Sequence, residues 1–213
     1  SAAMPRKSFR MYSEYPYHLS ARTNGRDWFE LDLDQVWEIM SCYLHFAHYA
    51  YGVRIHSFVL MTNHFHLLAS FPNGNLSEFA TYFMRETSRA IGREVGRINH
   101  VWGGRVFRSC IASGLHYEHA YKYVYRNPVE AGACEAVEDY RYSTLAGLLG
   151  RQHVMIPLDE DPLLFDGDRT NETLRWLNTP VDHVRKEAVR CALRRPLFRL
   201  SKRDGHSLES ERL

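Results

Sequence analysis

The period of the hydrophobic pattern changes repeatedly along residues 15–126, and the order of those changes constrains the fold more tightly than any single motif. Residues 15–23 are rich in aromatic and polar β-formers and stop at Asn24-Gly25, which predicts a strand and a turn. From Asp34 onward Val36, Met40, Tyr43, Ala47 and Ala50 recur at helical spacing until Gly52. Residues 53–61 and 64–71 predict two strands joined through Thr62-Asn63, a hairpin. Asn75 and Glu78 have the spacing of a capping box, and Leu76, Phe79, Ala80, Phe83, Thr87 and Ala90 follow as one helical stripe. Gly103-Gly104 precedes a fourth strand over 105–111, and a last helix over 115–126 is expected to end at Asn127-Pro128. The order β-α-β-β-α-β plus a helix is the split βαβ plan, an α+β, ferredoxin-like fold. That plan has one four-stranded antiparallel sheet with both crossover helices on one face. Its other face is left for a ligand or for the added helix.

The 213 residues suffice for one substantial core and a small appendage. Ser1-Ala2-Ala3 ahead of Met4 has the look of a cloning scar, so residues 1–4 are set aside. Residues 5–150 are read as the main domain and 151–213 as an extension. Within the extension, 157–170 form an acidic linker, and 173–177 and 181–193 form short helices, the second basic. No apolar run approaches the roughly 18 residues of a membrane span, and Met4-Pro5-Arg6-Lys7 does not lead into a secretory leader. Cys42, Cys110, Cys134 and Cys191 stand far apart with no C-x-x-C pair, which predicts reduced thiols and a cytoplasmic protein without a zinc ribbon.

The net charge of +2 conceals segregation: −1 over residues 1–84, +5 over 85–126, −7 over 127–184 and +5 over 185–213. Two basic blocks give two surfaces able to meet an anion. Of the 27 basic residues 23 are Arg, whose planar fork suits phosphate, although a coding bias toward Arg gives the same count.

Two local patterns carry chemistry. In His64-Phe65-His66 on a strand, side chains i and i+2 point the same way, so both imidazoles share a face with Leu68 while Phe65 and Leu67 turn to the core. Paired neutral imidazoles begin a metal site, or are simply a half-exposed strand face. In the second pattern Tyr123 and Asn127 are i, i+4 neighbours on a helix, and Tyr117, Tyr121 and Tyr125 form a separate stripe read as packing. A phenol with an ordinary pKa near 10 is a poor nucleophile. It needs a metal to polarise the phosphate it attacks and a neighbour that favours its ionised form.

At this separation and in this strand order the two patterns resemble those of the single-tyrosine HUH transposases. Met61-Thr62-Asn63-His64-Phe65-His66-Leu67-Leu68 is similar to their His-x-His strand, with Thr62 where the family usually has Pro. Val101-Trp102-Gly103-Gly104-Arg105-Val106-Phe107-Arg108-Ser109 resembles the segment after their second helix. Tyr123-Val124-Tyr125-Arg126-Asn127-Pro128-Val129-Glu130-Ala131-Gly132 resembles their nucleophile helix, in the branch associated with repetitive extragenic palindromes (REP). Pro16-Tyr17-His18 with Arg22 matches the opening strand, so the resemblance spans roughly residues 15–145. It implies Tyr123 as nucleophile, with His64, His66 and Asn127 as ligands of a divalent ion, Mg²⁺ or Mn²⁺. Ligand chemistry alone favours Mn²⁺ at two imidazoles. It also implies nicking and rejoining of single-stranded DNA through a 5′-phosphotyrosine, at or near hairpins.

For DNA contacts, Arg85, Arg89 and Arg93 recur every fourth residue with Arg97 beyond, and Arg105 and Arg108 lie on the neighbouring strand. They form a solvated face or a stripe that tracks phosphates. Arg190, Arg194 and Arg195 of the basic extension are further candidates, with Lys202 and Arg203 behind them. Tyr15, Tyr17 and Phe107 are candidates for base stacking on the open sheet face. Two other readings keep the same scaffold. One is a non-catalytic RNA- or DNA-binding domain, which should show stacking aromatics where His-Phe-His stands. The other is a replication initiator or relaxase, which should show a third His or a paired Tyr. Oligomeric state and DNA sequence are not encoded in these patterns.

Overall fold

The computed structural model describes residues 10–96, 100–159 and 169–200. Four strands, β1 (Pro16–Arg22), β2 (Arg54–Leu60), β3 (His64–Ser70) and β4 (Phe107–Cys110), form one antiparallel sheet in the order β2-β3-β1-β4. Two 19-residue helices, α1 (Leu33–Tyr51) and α2 (Leu76–Glu94), make the crossovers, and α3 (Gly114–Glu130) follows β4. This is the expected α+β plan. A short α4 (Leu145–Leu148) and the helices α5 (Thr170–Asn178) and α6 (His183–Ala192) complete the described chain.

Local chemistry accounts for most of the boundaries. The Asp32 carboxylate accepts from the Asp34 amide to open α1, and Gly52 closes it at φ 67°, a left-handed conformation that disfavours a side chain. The β2–β3 hairpin turns at Thr62-Asn63, where the Met61 amide donates to the His64 carbonyl. Two expectations at helix ends are corrected. Asn75 does not cap α2; its amide donates instead to the Tyr51 carbonyl, tying α2 to the end of α1. Nor does Pro128 stop α3, which runs on to Glu130. Proline costs a helix one amide donor, but here only three further residues follow before the turn at Gly132.

Alternation along the strands divides the core in two. Tyr17, Leu19 and Ala21 of β1 and Phe65, Leu67 and Ala69 of β3 face α1 and α2, packing on Met40, Leu44, Phe79 and Phe83. The opposite face, expected to take a ligand or the added helix, is covered. Val59 and Leu68 pack there with Tyr121, Val124 and Tyr125 of α3, Leu177 of α5, Val189 and Ala192 of α6, and Phe198. Each such side chain contributes about 1.5–3 kcal/mol on burial. Residues 196–198 also run beside β4, where the Cys110 amide donates to the Pro196 carbonyl and the Phe198 amide to the Cys110 carbonyl. The extension is therefore built into the same core as the sheet.

Tyr17 belongs to the α1–α2 core, its phenol oxygen accepting from the Tyr12 amide, and so does not stack bases on the other face. Tyr121 and Tyr125 are packing residues, as expected, and Tyr125 shares a hydrogen bond with Thr144. Arg97, Lys202, Arg203 and most of the acidic linker lie outside the described residues.

Candidate active site

On the second sheet face β1 and β3 place a polar triplet opposite α3. In the antiparallel register Ser20 lies opposite His66, Arg22 opposite His64 and His18 opposite Leu68. His18, Ser20 and Arg22 have the parity that faces away from the α1–α2 core. The two imidazoles of His64 and His66 sit at right angles, 5.0 Å between centroids. Tyr123 of α3 meets His66 edge-on at 5.5 Å and His18 at 6.5 Å. Asn127, one turn further along, presents its amide to His64, His66 and the Tyr123 phenol. A pocket bounded by His18, Arg22, His64, His66, Tyr123 and Arg190 collects these groups except Asn127, which lines the adjoining cavity, and Phe107 and Arg194 stand at its edge.

Each imidazole has one nitrogen occupied from outside the pocket. His64 Nδ1 lies 2.7 Å from Asn63 Oδ1, and Asn63 is itself fixed by donating to the Arg26 carbonyl. His66 Nδ1 lies 2.9 Å from His18 Nε2, the two rings stacked at 5.1 Å. His66 Nε2 is buried and makes no hydrogen bond of normal geometry among the described residues. A buried polar atom without such a partner costs of order 1–3 kcal/mol, so it marks a place where something else binds. Two inward nitrogens and an amide oxygen are a donor set that fits a divalent cation, with Asn63 and His18 orienting the rings from behind. Among the described residues no three His, Cys, Asp or Glu side chains cluster as a metal site; the further polar group beside His64 and His66 is the amide of Asn127.

The electrostatics suit that role. Burial drives His64 down to about 4, helped by the Arg22 guanidinium, and drives His66 well below its usual value. Both are neutral at pH 7, as ligands must be. Burial raises the Tyr123 phenol, while the Asn127 amide and the cations of Arg190, Arg22 and Arg194 oppose the rise.

These shifts predict an acid instability. Burial holds His18 at about 3 and both His64 and His119 at about 4 in the folded protein, against an unfolded value near 6.5. The unfolded chain therefore takes up protons first, so stability is complete above pH 6.5 and falls as pH drops toward 4. Each group carried from 6.5 to about 4 costs on the order of 3 kcal/mol. Thermal melts at pH 7 and pH 4.5 should differ by many degrees, and His119→Leu should flatten the difference. Equal melting temperatures at the two pH values would contradict these shifts.

The remaining candidates fall into two groups. Arg85, Arg89, Arg93, Arg105 and Arg108 line one open groove of about 1240 Å³ between α2 and β4, with Trp102 and Met84. Phe107, 52 % exposed, lies on the side of β4 that faces the candidate pocket, and Arg108 reaches Ser77 of α2 on the other. The groove and the pocket thus flank one edge strand. Arg190 and Arg194 border the candidate pocket itself, whereas Arg195 is exposed outside it. Sequence reasoning missed His18 and Asn63 as orienting groups; the signal for Asn63 was its place directly before the His-x-His pair.

Residues 11–127 match the family described as transposase IS200 like. The match covers more than half of the chain, which belongs to that family. A REP-associated tyrosine transposase of Escherichia coli (strain K12) is 28% identical over 91 residues, 43% of this chain and 53% of the relative, so the chain spans about half of that relative's length. A solved structure of a REP-associated tyrosine transposase bound to a REP hairpin superposes with a TM-score of 0.57 at 18% identity, covering 74% of this chain and 93% of the other, a likeness of fold. No helix among the described residues is long and apolar enough to cross a membrane.

Proposed function

We propose that the protein nicks and rejoins single-stranded DNA near hairpins through a covalent bond to Tyr123. The observation that carries this is the convergence of Tyr123, His64 and His66 on one pocket, with the Asn127 amide presented to all three, in a member of a transposase family. The hairpin is taken from the relatives, which are REP-associated and in one case bound to a REP hairpin.

The Tyr123 oxygen attacks phosphorus as its proton leaves, and the bond to the 3′-oxygen breaks. The products are a 5′-phosphotyrosine and a 3′-hydroxyl that takes its proton from solvent. Rejoining reverses the step with a second 3′-hydroxyl, and the phosphotyrosine conserves the bond energy. Arg22, Arg190 and Arg194 are the cations that favour the phenolate and receive the phosphate. His64, His66 and Asn127 would hold a divalent ion, Mn²⁺ being favoured over Mg²⁺ by two nitrogen donors. When bound, that ion supplies charge against the phosphate oxygens. Incubating the protein with a labelled hairpin oligonucleotide carrying single-stranded flanks, with Mn²⁺, should yield cleaved strand; intact strand under all metal conditions would refute the proposal.

The arginine groove is read as the track for the hairpin stem, because a duplex lying along β4 reaches the groove on one side and the pocket on the other. Replacing Arg85, Arg89 and Arg105 by Ala should weaken hairpin binding and reduce the log–log salt slope by about 2–3, at roughly 0.9 per duplex phosphate contact. An unchanged slope would show that these arginines only solvate the surface.

A further inference from the structure

A second cavity, about 230 Å³, opens beside the catalytic pocket between α3 and α6. Arg22, His64, Tyr123 and Arg190 border both spaces, so a strand whose phosphate lies at Tyr123 has its neighbouring nucleotide at the mouth of this cavity. Its walls combine aliphatic surface from Val181, Val189 and Ala131 with cationic side chains from Lys186 and Arg190. The carboxylates present are already engaged. Glu130 accepts from Arg126 and from Lys186 at 2.9 Å, and Glu187 accepts from Arg190. Arg126 also donates to the carbonyls of Leu177 and Asn178, which ties α3 to the end of α5 and holds the cavity's shape.

His119 and Lys122 are the cavity's most buried polar groups, and the Lys122 ammonium lies over the Trp176 ring, 5.3 Å from its centroid. His119 is 1% exposed, and neither of its ring nitrogens has a hydrogen-bond partner among the described residues. A neutral imidazole offers one donor and one acceptor. A phosphodiester, which only accepts, satisfies one of these; the edge of a nucleobase satisfies both. The volume points the same way, since sites for whole cofactors run to roughly 300–1,000 Å³. This space suits a fragment the size of one base.

We propose that the cavity between α3 and α6 receives the base of one nucleotide flanking the scissile phosphate, turned out of the strand, with Lys186 and Arg190 at its phosphate. The inference rests on the reading of Tyr123 as the attacking group. It makes α6, which lies beyond the residues matched to the family, part of the substrate site and the place where preference for a particular base arises.

The test is an abasic scan. Single-stranded hairpin oligonucleotides with one base removed at successive positions of the flank are titrated against Tyr123→Phe protein, so that binding is read without cleavage. One position should show at least about a tenfold loss of affinity, the scale of a base held by a protein surface. Val181→Trp, which fills the cavity from the loop before α6, should make intact and abasic strands bind equally at that position. Ala131→Trp, at the exposed end of α3, gives the same reading should Val181→Trp not fold. No position costing more than about twofold would overturn the proposal, as would a penalty that persists in both filled variants. Equal binding of abasic and intact strands with competition by inorganic phosphate would make the cavity an anion site and overturn it too. If wild-type protein forms no covalent adduct while the base penalty and its loss on filling remain, the cavity stands and the nucleophile reading falls.

Discussion

Tyr123→Phe should abolish covalent attachment to DNA, a loss of at least about 10⁴-fold in cleavage, and leave hairpin affinity within about twofold. The change removes one hydroxyl, that of the one phenol among the described residues lining the pocket. The ring itself stays, packed edge-on to His66 and His18, so the pocket keeps its shape. Electrophoresis of labelled DNA under denaturing conditions measures the first quantity, and fluorescence anisotropy the second. Loss of both together would mean that the phenol is needed for binding and that its chemical role is unproven. Loss of cleavage in Tyr121→Phe or Tyr125→Phe instead would place the nucleophile on the other stripe of α3. The packing argues against that, because both rings are buried and burial raises the Tyr125 phenol with only Thr144 and Tyr121 opposing it.

The second large effect concerns the donors. His66→Ala should lower cleavage by about 10³-fold or more and remove measurable Mn²⁺ binding by calorimetry, and chelation by EDTA should reproduce the loss of cleavage. His18→Ala leaves all three donors in place and should weaken Mn²⁺ binding by about 10–100-fold, the usual cost of losing an orienting partner. The reason is a matter of tautomer. His66 can give its Nε2 lone pair inward only if Nδ1 carries the proton, and His18 Nε2, 2.9 Å away, accepts it. Undiminished Mn²⁺ affinity in His18→Ala would leave His18 as packing alone. Full cleavage by wild-type protein in EDTA would remove the metal from the reaction.

What the sequence disclosed follows from where periodicity reaches. The inward turn of Phe65 and Leu67, the outward turn of His64 and His66, and the pairing of Tyr123 with Asn127 depend on neighbours within one strand or one helix. Spacing alone specifies those. His18 was hidden because its meaning comes from the register of β1 against β3, a contact between residues 48 apart. The parity of β1 did carry a usable signal: Tyr17 shares a face with Leu19 and Ala21, so it belonged to the core from the start. The extension was legible as a short basic helix, but not its place: Val189, Ala192, Leu193 and Phe198 are buried against α3 and the sheet, and Arg190 of α6 borders the candidate pocket. Removing residues 181–213 would therefore strip the core as well as the charge. Single substitutions at Arg190 and Arg194 are the cleaner probe of the tail's hold on DNA.

The central claim is a bond between one named oxygen and a DNA phosphate, and it can be observed directly. Wild-type protein is incubated with Mn²⁺ and a single-stranded hairpin oligonucleotide, digested with protease and nuclease, and the nucleotide-bearing peptide is sequenced by mass spectrometry. The account predicts a peptide containing Tyr123 joined to a 5′-phosphate, present with Mn²⁺ and absent with EDTA. An adduct on any other residue, or one that forms equally well in EDTA, would contradict it.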